Sequence, residues 1–225
     1  MNLSERLNDK YFIAICATGA SSYCDMEFFE SILAIAKGNQ VYIAYGAGDE
    51  AHYGNFENIF KKSRNLHFIY VRAGKGESSI EKNATASMLV LREKFLQTKM
   101  PYFLFINNNA FVPRALLNKF ERAISYLENT DPNWGVLGGL YHRGWVSSGI
   151  SDLQRVQHVL SGCTVFKRQL IEKYPFTYSV ENRDIFPYTS IAAANDEFNF
   201  YDGHWVDALK VESPRTRPVI VRLYK

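Results

Sequence analysis

Apolar and polar positions alternate between two periods along the first half of the chain. YFIAICAT (residues 11–18) is a short apolar run ending in a Gly/Ser turn, the pattern of a buried strand. MEFFESILAIAKGN follows, with Phe28, Ile32, Ile35 and Ala36 at helical spacing and a Lys-Gly-Asn stop, and predicts a helix. QVYIAY predicts a second strand, GAGDEAHYG a loop, NFENIFKKS a helix and NLHFIYVR a third strand. GKGESSIEKNATASMLVLREKFLQTK gives a loop and a long helix, and PYFLFI a fourth strand. PRALLNKFERAISYLEN is again helical, with Pro113 suited to its first turn.

Strand and helix alternating four times imply right-handed crossovers and a mostly parallel sheet with helices on both faces. Ligands of such α/β sheets bind beyond the carboxyl ends of the strands. Gly19–Ser22, Gly46–Glu50, Arg72–Ser78 and Asn107–Asn109 all fall at such ends. After Asp131 the pattern changes: WGVLGGLYHRGW predicts a strand and a turn-rich loop, and SGCTVFKRQLIEKYPF a strand entering a helix. NDEFNFYDGHWVDALK reads as a polar-fronted helix and RPVIVRLY as a closing strand. The segment from His142 to His158 is long, polar and poorly periodic, as a covering or acceptor loop would be. One domain over residues 1–225 is expected, with a first part at about 11–130 and a mixed extension of the same sheet at about 131–225.

Composition narrows the class. The chain has 225 residues, 47% of them hydrophobic and 22% charged, as in ordinary globular proteins. A net charge of +3 is too small to make nucleic acid a main partner. The basic tail ESPRTRPVIVRLYK reads as a solvated edge strand, with an anion or membrane-surface contact as the sharper alternative. Cys16, Cys24 and Cys163 form no CxxC pair and no zinc spacing, which suits reduced thiols in a cytoplasmic protein. The polar start MNLSERLNDK lacks a signal core, and no run is long enough for a membrane span.

TGASS after the first strand looks like the nucleotide turn of short-chain dehydrogenases. That turn needs further glycines for a close pyrophosphate approach, and here Tyr23, Cys24, Asp25 and Met26 follow. No tyrosine has a lysine four positions later, so the catalytic pair of those enzymes is missing. A nucleotidyltransferase fares no better, because TGASSYC carries no arginine or lysine to hold a triphosphate.

Taken in order, the strand-end motifs resemble family 2 glycosyltransferases, which have the GT-A fold. IAYGAGDE matches the acidic loop after the second strand, VRAGKGESSIEKNATAS the glycine loop and asparagine-bearing helix after the third, and FLFINNNAFVP the Asp-x-Asp region after the fourth. SGCTVFKRQLIEKYPF matches the strand leading to an arginine-bearing helix, with Lys167 and Arg168, and NDEFNFYDG the acidic pair. The resemblance spans roughly residues 11–210 and implies a nucleotide-diphosphate sugar donor, such as a UDP-sugar, and a hydroxyl acceptor on a glycan, glycoprotein or glycolipid. Implied donor contacts are Asp49 at the base, Gly76, Asn83, Asn107 and Asn109. Thr18, Gly19, Lys75 and Asn108 at the same strand ends are further candidate donor contacts. Arg143 and Trp145, the latter an aromatic platform of the kind that stacks on sugar rings, are candidate acceptor contacts.

An inverting transfer needs a base for the acceptor hydroxyl and stabilisation of the departing diphosphate. The resemblance gives the base role to the pair Asp196 and Glu197; adjacent in a helix, the two point about 100° apart. By position Glu197 is the preferred base, with Asp196 as the alternative or as an orienting or acceptor-binding partner. An acidic pair at a helix start also complements the helix dipole. Mn²⁺ or Mg²⁺ prefers anionic oxygen ligands, and Asn107 and Asn109 replace both aspartates with neutral amides. Several outcomes stay open: metal held mainly by the diphosphate with Asn109 and His204; no metal, with Lys75, Lys82, Arg143 or Arg168 stabilising the leaving group; or a non-catalytic nucleotide-sugar or glycan binder. The triplet could also serve only side-chain-to-backbone turns.

Overall fold

The computed structural model describes residues 10–17, 26–36, 38–46, 50–72, 80–107, 116–139, 153–156, 163–177, 194 and 197–203. In chain order these form β1 (Tyr11–Ala17), α1 (Met26–Ala36), β2 (Val41–Gly46), α2 (Glu50–Phe60), β3 (Leu66–Val71), α3 (Ile80–Leu96) and β4 (Tyr102–Asn107). Next come α4 (Leu116–Thr130), β5 (Trp134–Gly139), β6 (Leu153–Val156), β7 (Cys163–Lys167), α5 (Arg168–Lys173) and β8 (Asn199–Gly203). The strands join in one sheet of order β3-β2-β1-β4-β7-β5-β8-β6. Neighbours from β3 to β4 are parallel, β7 is antiparallel to both β4 and β5, β8 is parallel to β5, and β6 is antiparallel to β8.

Every residue of β1 is buried, which is why its apolar run shows no polar alternation. Tyr11, Ile13, Ile15 and Ala17 join one core layer with Phe28, Phe29, Ile32 and Ile35 of α1, Tyr53 and Phe56 of α2, and the apolar stripe of α4. Phe12, Ala14 and Cys16 join the other, with Ala84, Met88, Leu91 and Phe95 of α3 and Leu170 and Ile171 of α5. Each fully buried Ile, Leu, Met or Phe among them contributes about 1.5–3 kcal/mol. The predicted stop of α1 is built on Gly38, whose φ of 90° is open to glycine at little cost. Asn39 completes the stop, its N–H and its side-chain Nδ2 both donating to the Ala36 carbonyl at 2.7 Å.

Two expectations for the second half are corrected. Residues 199–203 are a strand, not part of a helix: Phe198 and Phe200 face the α5 side, while Asn199 and Tyr201 reach Asp131 on the other. That alternation has period two, and burial of Phe200 with half-burial of Phe198 decides in its favour over helical spacing. The polar stretch between His142 and His158 contains β6, which pairs Leu153–Val156 with β8. The closing strand expected at RPVIVRLY lies outside the described residues. No described helix is long and apolar enough to cross a membrane.

Candidate functional site at the carboxyl edge of the sheet

Strand register places the polar strand ends along one edge. Cys16 is level with Asn107, Ile106 with Cys163, Gly46 with Val71, and Gly139 with Gly203. The carboxyl ends of β1, β2, β3, β4, β5 and β8 therefore share this rim with the amino ends of β6 and β7. The crossovers after β1 and β2 pack on one face, and α3, after β3, packs on the other. The order thus reverses between β1 and β4, which makes their shared end a topological switch point, the place where open α/β sheets bind ligands.

Asn107 stands at that point and is half-buried. As the register partner of Cys16 it shares the α3 face, where the Cys16 thiol lies 3.6 Å from the Ala84 carbonyl in the second turn of α3. Asn83, one residue earlier, is likewise near the rim end of α3. Sequence reasoning counted Cys16 only as a reduced thiol; its place one residue before the end of β1 was the available signal for a rim position. Cys163 is fully buried on the other face, and burial pushes its thiol well above the ordinary range, so it stays protonated.

Thr18 and Gly19, Asp49, Lys75 and Gly76, Asn108 and Asn109, Arg143 and Trp145, Asp196, and His204 lie outside the described residues. Among the described residues no three His, Cys, Asp or Glu side chains gather where a metal ion could be held. Asn107 offers the described rim a neutral amide, so this part of the donor set does not by itself fit a divalent ion.

Glu197 does not reach this rim. It lies two residues before β8, whose first residue Asn199 is bonded through its N–H to the Asn133 carbonyl at the amino edge. Five strand steps, about 16 Å, separate the two edges along β4. Glu197 accepts a hydrogen bond from Lys173 at 2.7 Å, and this bond, with a second from Tyr174, holds its carboxyl below the usual range. A general base benefits from the opposite shift. The Glu197 carboxylate is thus paired with Lys173 at the amino edge, and the base role expected for it is put to the turnover assay below.

Lys167 and Arg168 are also at the amino edge. Arg168 donates to the Leu96 carbonyl at 3.2 Å and the Met100 carbonyl at 3.1 Å, pairs with Glu172 at 2.7 Å, and lies 5.0 Å over the Phe95 ring. It closes the carboxyl end of α3 and is not placed to meet a leaving group at the rim. Lys167 bonds Glu128 and the Pro132 carbonyl, both at 3.3 Å.

Two carboxylates unmarked by the sequence reading organise this edge. Glu128 accepts from Tyr102 at 3.2 Å and from the Trp134 indole at 3.1 Å. Asp131 accepts from Asn199 at 2.8 Å, Tyr201 at 2.9 Å and the Asn133 N–H at 3.0 Å. Burial would raise the Asp131 pKa, but these three hydrogen bonds and the nearby Arg155 charge outweigh it and leave the carboxyl below its ordinary value.

The sequence matches no family model and no curated protein sequence. In fold, the chain is similar to a mannosyltransferase from Pyrobaculum calidifontis solved with GDP-Man and Mn²⁺, with a TM-score of 0.58 and 12% identity, over 85% of this chain and 53% of that one. It is similar also to TarS of S. aureus, residues 1–349, with a TM-score of 0.53 and 11% identity, over 88% and 61%. The same TarS fragment solved with UDP gives a TM-score of 0.55 at 12% identity, over 86% and 60%. The chain thus spans little more than half the length of these proteins. Its architecture is the GT-A glycosyltransferase fold.

Proposed function

We propose that this protein is a glycosyltransferase that moves a sugar from a nucleotide-diphosphate donor to a hydroxyl acceptor. The observation that carries the reading is the β1/β4 switch point, with Asn107 at its mouth and the donor-contact segments of the sequence continuing from the same rim. The fold likeness supports it, because proteins of this architecture have been solved with GDP-Man and with UDP. Within this reading Thr18, Gly19, Asp49, Lys75, Gly76, Asn83 and Asn107–Asn109 hold the donor, and Arg143 and Trp145 serve the acceptor. The family 2 assignment, an inverting course and the degenerate Asp-x-Asp motif follow from the order of the sequence motifs. When bound, a divalent ion would offset diphosphate charge; the asparagines leave most of its coordination to the donor's own phosphates. Asn107 amide contacts orient the donor across the β1/β4 crevice.

Calorimetric titration with UDP, GDP and their sugar conjugates, each with Mn²⁺ and then EDTA, tests the reading. Binding of at least one conjugate is expected, weakened by roughly tenfold in Asn107→Ala, the scale of one lost polar contact. Absence of binding under every condition would sink the donor site. In a turnover assay Glu197→Gln is expected to retain activity within about threefold, since its charge pairs with Lys173 at the far edge. Abolished turnover with intact donor binding would return the base role to Glu197.

A further inference from the structure

The amino edge carries a second surface, unrelated to donor binding. Between β3 and β4 it is formed by the turns that lead into these strands. The turn before β3 presents Lys61, Lys62 and Arg64, all exposed, and the turn before β4 presents exposed Lys99, with exposed Lys94 in the last turn of α3. No aspartate or glutamate occurs in residues 60–65 or 97–101. The nearest acids are Glu57, four residues before Lys61, and Glu93, directly before Lys94, and neither forms an ion pair with these cations among the described residues. Lys10, before β1, is neutralised by Glu121 at 2.9 Å. The other ion pairs among the described residues join Lys167 to Glu128, Arg168 to Glu172 and Lys173 to Glu197, so none engages these five cations.

The turns are fixed rather than loose. Ser63 N–H bonds the Phe60 carbonyl at 2.7 Å, and the Asn65 side chain reaches the Asn39 carbonyl at 3.4 Å. Thr98 bonds the Phe95 carbonyl through its hydroxyl at 2.7 Å and receives the Met100 N–H at 3.2 Å. Helix dipoles favour a cation near each helix carboxyl end, but three in four residues, without an acid among them, exceed that need. Beside them Ile59 is 56% exposed, an apolar side chain at the border of a cationic strip. Three strand spacings, about 14 Å, separate the two turns along the edge.

We propose that this edge docks on an anionic bilayer surface, with Lys61, Lys62, Arg64, Lys94 and Lys99 meeting headgroup charge and Ile59 entering the interface. Lysine-rich, flexible charge suits a diffuse anionic surface better than a shaped acidic partner, where arginine forks would be expected. An exposed isoleucine, with no exposed aromatic ring in either turn among the described residues, also suits lipid over nucleic acid. Docking by this edge would hold the carboxyl rim about 16 Å from the docked face, one strand length away.

Sedimentation of the full chain with phosphatidylcholine vesicles, with and without phosphatidylglycerol, tests the docking independently of any nucleotide. Partition onto the phosphatidylglycerol vesicles is expected, and none onto phosphatidylcholine alone. Each cation near such a surface raises partitioning by about fivefold, so combined Lys61→Glu, Lys62→Glu and Arg64→Glu should lower it by more than a hundredfold. Ile59→Ser should lower it about tenfold with no change in charge. Arg122→Glu, an exposed cation midway along α4, should change it less than a single amino-edge reversal. Failure to partition, an undiminished triple variant, or an equal loss per charge in Arg122→Glu would overturn the proposal. So would retention of a labelled single-stranded RNA in place of vesicles, which would assign the strip to nucleic acid. The substituted residues are exposed, and thermal melting would confirm that each variant folds.

Discussion

Asp131 holds more of the second half together than its place in a turn suggests. Its carboxylate joins the turn before β5 to two side chains of β8, so it ties strands that are separated in sequence by more than a helix. Because its folded pKa is depressed, its contribution is complete above the ordinary carboxylate value of about 4 and is lost as pH falls through the folded value. Asp131→Asn is therefore expected to lower stability at pH 7 by about 1 kcal/mol, a hydrogen-bonded charge reduced by its solvent contact, and to flatten the decline below pH 4. Urea denaturation at several pH values checks both parts. An unchanged pH slope would show that Asp131 does not carry this linkage. Little of this was legible beforehand, since an aspartate beside Pro132 and Asn133 reads as simple turn chemistry.

Among the elements, α1, α3 and α4 were legible from a helical period, and β1 to β4 as short apolar runs bounded by turn residues. β8 was not. Its five residues follow an acidic pair that imitates a helix start, and only packing against α5 shows which period prevails. The same packing makes Gly135 in β5 a close-approach position. A Cβ there would lie 2.7 Å from Phe198 Cβ and 2.8 Å from Leu170 Cδ1. Gly135→Ala should cost about 1–3 kcal/mol, because a Cβ atom fixed to backbone cannot swing away. Gly54, within α2, would meet nothing within 4 Å, so Gly54→Ala should stabilise by up to about 1 kcal/mol. Thermal or urea midpoints of the pair compare them directly, and similar shifts in one direction would refute the distinction.

For the whole molecule, strand order was the part of function that the sequence carried best. Four strand–helix alternations predicted a carboxyl rim, and the register of Cys16 with Asn107 places the first asparagine of the triplet on it. The acidic pair was harder, because a motif's distance along the chain does not tell which edge of a sheet it reaches; Glu197 precedes an upward strand and so stays below. Strand order also bears on how the chain is made. β7 is the only described partner of β4 on its outer side, yet it is encoded after α4, β5 and β6. During synthesis from the amino end, the parallel unit β3-β2-β1-β4 can assemble while its β4 flank stays open until residue 167 has emerged. β5 runs parallel to β4 and is apolar, so it can compete for that flank. The nascent protein is therefore most exposed to mispairing after β5 emerges and before β7 does, an interval in which a chaperone or a slow stretch of translation would matter most.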